Sequence, residues 1–189
     1  MLLLAHVGIT LGAATLLAGA AKFNKKSGNG ILTWFTSLSE YVDIRVILVG
    51  SLLPDIIDKP IGVFFFRDTF SSGRIFAHSL LFLIILAAVG FYLYRRRHKT
   101  WLLALAFGSF VHLLLDSIWN TPNTLLWPLL GFAFDRVEVS EWFSYWFWDL
   151  FVYPELFFTE LLGLAILLWF GFTLINRKKV GVFLRRGKG

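Results

Sequence analysis

The chain contains no cysteine, so it has no disulfide framework, and any metal it binds must be held by nitrogen and oxygen donors. The same absence leaves its redox compartment unread. Charge is scarce too: Asp, Glu, Lys and Arg make up 16% of the 189 residues, against 57% hydrophobic. An ordinary soluble domain, in which about a quarter of residues are charged, is thereby excluded. Long linkers, internal repeats, low-complexity segments and nucleic-acid motifs are also missing, which points to one membrane domain over residues 1–189 and no nucleic-acid partner.

What the chain does have is apolar length, with 21 Phe and 8 Trp. Runs long enough to cross a bilayer as helix, about 20 residues, occupy roughly 2–21, 44–66, 75–94, 101–119 and 154–175. The expected fold is an all-α membrane bundle of about five spans with a basic tail over 176–189. The first run includes Ala18-Gly19-Ala20, a small-x-small triplet like a signal cleavage site. No cation precedes that run and Lys22 follows it, so it reads as a retained first span.

Cationic clusters follow the first, third and fifth runs: Lys22/Lys25/Lys26, Arg95/Arg96/Arg97/Lys99 and Arg177/Lys178/Lys179. One orientation satisfies all three, with the N-terminus outside and the C-terminus cytoplasmic. "LLWPLLGFAF" is too short to span and contains Pro128, so a re-entrant or interfacial piece is expected there. "SEWFSYWFWDLF" places Trp142, Tyr145, Trp146 and Trp148 together, as in an interfacial helix that anchors at headgroup depth.

Ionisable groups at membrane depth are costly, so each is a functional candidate. His6, Asp55, Asp58, His78, His112 and Asp116 stand out, and the topology puts all six in the outer half of the membrane. Asp55 and Asp58 are three apart, and His112 and Asp116 are four apart, so each pair shares a helix face at metal-ligand spacing. Pro54 and Pro60 bracket the first pair and predict a broken helix beside the carboxylates.

Three imidazoles and three carboxylates without thiolate suit a divalent ion, zinc above all, as one ion or two bridged by an aspartate. Asp58, Asp116 and Glu160 are the candidate acids and bases, Glu160 being either a seventh ligand or an acid behind the ligands. Arg74, Lys59 and Arg67 are candidates for holding an anionic group of the substrate. Plainer roles stand beside these. His98 in "RRRHK" reads as a solvated loop residue, Asp55 and Asp58 could cap a broken helix, and Asp116 could form an ion pair with Arg74.

"AHVGIT", "GSLLPDIIDKP", "GRIFAHS" and "HLLLDSIWNTPNTLLWP" together resemble the YdjM-type family of inner-membrane metal-dependent hydrolases, some described as LexA-binding and membrane-associated. The four stretches lie in the first two thirds of the chain, in matching order. The resemblance implies His6, Asp55, Asp58, His78, His112 and Asp116 as metal residues, with a soluble partner implied by resemblance alone. Two departures stand out. The family often carries Pro-Asp-x-Asp-His, whereas here the aspartates are one residue further apart and Lys59 takes the histidine's place; a further histidine is replaced around Gly73.

The expected function is hydrolysis by metal-activated water of a phosphoester or other ester in a lipid-like substrate at the outer side of the membrane. The alternatives are a cation or proton transporter and a structural metal site in a partner-binding protein. Transport predicts acids at all depths, and the inner halves of these spans are nearly free of them.

Overall fold

The computed structural model describes residues 3–27, 43–136 and 150–187, and among these it is all-helical, without strands. The helices are α1 (Leu3–Ser27), α2 (Ile44–Gly50), α3 (Leu53–Lys59), α4 (Leu80–Arg97), α5 (Trp101–Leu115), α6 (Pro122–Leu125), α7 (Pro154–Asn176) and α8 (Val180–Arg186). A π-helical stretch, Pro60–Phe65, continues α3, and a 3-10 turn covers Ile118–Asn120.

Glycines fix how the helices cross. A Cβ at Gly8 would overlap the backbone of Gly163, and one at Gly163 would overlap Leu4 and Ala5, so α1 and α7 touch backbone to backbone. Gly12 faces Ile166 one turn further on, which makes the two helices parallel. Gly50 abuts Leu105, and Gly108 abuts Ile47 and Ser51, so α2 and α5 run antiparallel at equally close range. Gly90 on α4 meets Leu102 and Leu103, closing the α4–α5 hairpin.

The start of α1, the end of α2, α3, the start of α4, the end of α5 and the start of α7 therefore share one end of the bundle. The basic ends of α4 and α7 lie at the other.

Polarity is inverted relative to a soluble protein. His6, Thr10, Ser51, Asp58, His78, Ser109 and His112 are buried, whereas Leu161, Leu162, Leu168, Trp169 and Phe172 on α7 are exposed. Among the described residues, one helix, Pro154–Asn176, is long and apolar enough to cross a membrane by length and composition; Leu3–Leu17 and Trp101–Leu115 are shorter apolar stretches.

Three expected spans need correction. The run 44–66 is not one helix: it breaks after Gly50, restarts at Leu53 with Pro54 in its first turn, and passes into the π-helical stretch at Pro60. Proline lacks an N–H and disfavours helix in the residue before it, so it suits starts and breaks. The run 75–94 becomes helical only at Leu80, where the Ser79 hydroxyl accepts the Phe82 N–H at 3.1 Å. The fourth run ends as helix at Leu115.

"LLWPLLGFAF" forms the end of α6 and a series of turns, with a cis Trp127–Pro128 bond. Its rings pack on the loop before α4, Trp127 lying 4.9 Å from Phe76 and Phe134 5.8 Å from Phe70, centroid to centroid. The interfacial helix expected over Trp142, Tyr145, Trp146 and Trp148 lies outside the described residues. His98 ends α4 as an exposed left-handed cap at φ 50°, as a loop residue should.

Candidate metal centre

Four segments bring their polar residues to one point: α1 gives His6, α3 Asp55, the loop before α4 His78, and the end of α5 His112 and Asp116. The three imidazoles are 0–1% exposed.

Hydrogen bonds fix the orientation of two of the rings. His112 Nδ1 lies 2.6 Å from the Ser51 carbonyl oxygen. A carbonyl only accepts, so Nδ1 carries the proton and the lone pair is on Nε2. Ser51 is available for this because it lies at the break after α2, where helix-end carbonyls lack helical partners.

His78 repeats the arrangement through Asp58, whose Oδ2 lies 2.7 Å from His78 Nδ1. Both Nε2 atoms then point inward, 3.2 Å apart. Two facing lone pairs at that range repel unless a cation or proton sits between them.

The other donors favour a metal cation. Asp55 Oδ1 is 3.6 Å from His78 Nε2 and 3.9 Å from His112 Nε2, and Asp116 Oδ2 is 3.9 Å from each. Donors on a tetrahedral ion with bonds of about 2.0–2.1 Å stand about 3.4 Å apart, within this spread. His6 supplies an independent observation. It is 1% exposed, and its Nε2 approaches Asp116 Oδ1 at 3.1 Å, yet the alignment leaves both ring nitrogens without a hydrogen bond. A buried imidazole without hydrogen bonds is expensive unless a ligand completes it.

Two groups of residues could hold an ion: His6, Asp55 and His112, and His78, His112 and Asp116. They share His112, which has one free lone pair because its Nδ1 is engaged. The two groups therefore form one centre rather than two sites with separate histidines.

Asp58 and Glu160 lie against backbone amides, and neither is in the two groups that could hold an ion. Asp58 is fully buried, but its oxygens turn toward the loop: Oδ2 accepts from Ile75 N at 2.8 Å and His78 N at 3.1 Å, and Oδ1 accepts from Ala77 N at 2.9 Å. It shapes the loop and orients His78. A three-residue spacing places Asp55 and Asp58 within one helical face, but it cannot show that loop amides 17–20 residues further on capture the second.

One oxygen of Glu160 is engaged at the start of α1. Its Oε2 accepts from the Leu4 and Ala5 N–H groups at 3.0 and 3.2 Å, capping α1 from a neighbouring helix next to His6.

The candidate substrate-binding cations divide. Lys59 Nζ is 2.6 Å from Asp55 Oδ2, and Arg74 Nη2 is 2.8 Å from Asp116 Oδ2. Each cation thus steadies a carboxylate of the cluster, and the expected Arg74–Asp116 ion pair coexists with the cluster. Arg67 is exposed after the π-helical stretch, and no described ion pair or hydrogen bond joins it to the centre. The signal that sequence reading missed is Ser51, whose carbonyl at a helix break accepts the His112 Nδ1–H.

A family model described as YdjM inner membrane protein matches residues 1–180. No curated protein and no solved structure matches the chain. The family match contains every residue of the His/Asp cluster, and this chain belongs to the YdjM inner membrane protein family.

Proposed function

We propose that the chain is a membrane-embedded metal-dependent hydrolase whose centre lies near the outer face of the inner membrane. In this reading α1, the broken α2–α3 segment with its π-helical continuation, α4, α5 and α7 make five crossings of a single domain. The cationic ends face the cytoplasm by the positive-inside bias.

Ligands drawn from His6, Asp55, His78, His112 and Asp116 hold a divalent ion, zinc being the first choice for a thiolate-free nitrogen and oxygen set. The observation that carries this reading is the facing pair of Nε2 atoms 3.2 Å apart, each fixed by an engaged Nδ1.

Such an ion, when bound, supplies Lewis acidity that acidifies water and polarises an ester or phosphoryl oxygen. The chain's own residues do the remaining work. Asp55, whose side chain is 20% exposed, is the more accessible carboxylate, and Lys59 steadies it at the rim of the centre. Asp116 is 3% exposed and keeps His6 and Arg74 in place. The partly exposed Arg74 and Lys59 hold an anionic group of a lipid-like substrate at the rim. Burial of the imidazoles excludes bulk water and strengthens these interactions.

The test compares wild-type protein with Asp55→Asn and His112→Ala for bound metal and for turnover of phosphoester and carboxyl-ester lipids. Stoichiometric metal with turnover, both lost in the variants, is the expected result. Metal without turnover on any lipid ester would assign a structural site instead.

A further inference from the structure

The end of the bundle opposite the metal centre gathers exposed cations from several elements. Arg95, Arg96 and Arg97 end α4, Lys99 follows, Arg177 and Lys178 follow α7, and Arg185 and Arg186 end α8. The acid described at this end, Asp43, is committed to Arg45, which holds its carboxyl below the usual range through side-chain hydrogen bonds.

The short helix α8 sits among these cations in a fixed position. Phe183 turns back onto α7, its ring centroid 5.4 Å from that of Phe170. The Leu184 carbonyl accepts from the Arg45 guanidinium, and the Gly187 carbonyl accepts the Ile44 N–H at 3.0 Å. Gly187 ends the helix in the left-handed region at φ 64°, where glycine is at ease. Held in this way, α8 leaves Val180, Val182 and Leu184 at 40%, 44% and 64% exposure beside two exposed arginines.

We propose that α8, with the basic ends of α4 and α7, docks on the anionic headgroups of the leaflet at this end. Two observations select that occupant. First, the 23 residues of α7 extend about 34 Å at 1.5 Å each, roughly the thickness of a hydrocarbon core, so only three residues separate α8 from the point where α7 leaves it. Second, apolar side chains beside arginines at headgroup depth are what an interfacial helix presents, and the excess of positive charge favours acidic over zwitterionic lipid. Leu184 and Val180, one turn apart, enter the acyl boundary while Arg185 and Arg186 meet phosphates.

The absence of cysteine allows one spin label to be placed without background. Full-length Leu184→Cys, labelled and reconstituted, is compared in vesicles of phosphatidylcholine and of phosphatidylcholine mixed with phosphatidylglycerol. In mixed vesicles dissolved oxygen should reach the label more readily than a water-soluble nickel chelate, and high salt should reverse the preference. Adding Arg185→Gln and Arg186→Gln should weaken docking about 25-fold, at about fivefold per basic residue, or about 1 kcal/mol each. A second label at Val182→Cys checks that α8 moves as a unit.

A nickel-accessible label indifferent to phosphatidylglycerol overturns the proposal. So does a label shielded from both reagents in either lipid, which would mean that protein, such as a second copy, covers this face.

Discussion

Asp58 is fully buried and holds three backbone N–H groups and one imidazole. Asparagine in its place keeps the shape, but one oxygen becomes a donor facing amides that also donate. Asp58→Asn should weaken metal binding about 10–100-fold, the usual cost of losing a carboxylate behind a ligating histidine. Titration with a chromophoric chelator checks this. Glu160 allows a finer test, because its role is to accept the Leu4 and Ala5 N–H groups. Glu160→Gln retains an acceptor oxygen and should bind metal nearly as well as wild type. Glu160→Ala loses the cap, at about 1–2 kcal/mol by analogy with helix caps, and should loosen His6 as well. Equal metal affinity in the alanine variant would separate the cap from the centre.

At the scale of elements, the α1–α7 crossing depends on two facing glycines with no room for a methyl group. Gly163→Ala must push α1 away and carry His6 with it. We expect about 1–3 kcal/mol of destabilisation from overpacking, read by thermal unfolding in detergent, together with weaker metal binding. Gly171→Ala, where a Cβ meets nothing within 4 Å, is the matched control.

Much of this architecture was legible in the sequence. Hydrophobic length located the helices, and Pro54 and Pro60 announced the break beside Asp55. The remainder was hidden because it depends on partners distant in the chain. Residues 75–79 are apolar enough to read as helix, but Asp58 binds the Ile75, Ala77 and His78 amides and holds them as loop. Glu160 read as a ligand or an acid behind the ligands because no periodicity in α7 can reveal that its neighbour is a helix terminus.

At the scale of the whole molecule, the buried acids and imidazoles described gather at one end and the exposed cations ending α4, α7 and α8 at the other, so the two ends should respond to different reagents. Because an ion bound only by the folded state stabilises it by mass action, zinc at about 100-fold above its Kd should add about 2.7 kcal/mol. A chelator should lower the thermal midpoint of wild type and leave that of His112→Ala unchanged. High salt, which screens the exposed cations, should have little effect on this difference, because buried pairs are screened far less than surface ones.

The central claim is that side chains from α1, α3, the loop before α4 and α5 share one ion. X-ray absorption at the metal edge tests it most directly on purified protein loaded with zinc. The account predicts about one ion per chain, only nitrogen and oxygen neighbours, and an imidazole scattering signature that diminishes in both His6→Ala and His112→Ala. Absence of stoichiometric metal, or a signature unchanged by either substitution, would contradict it.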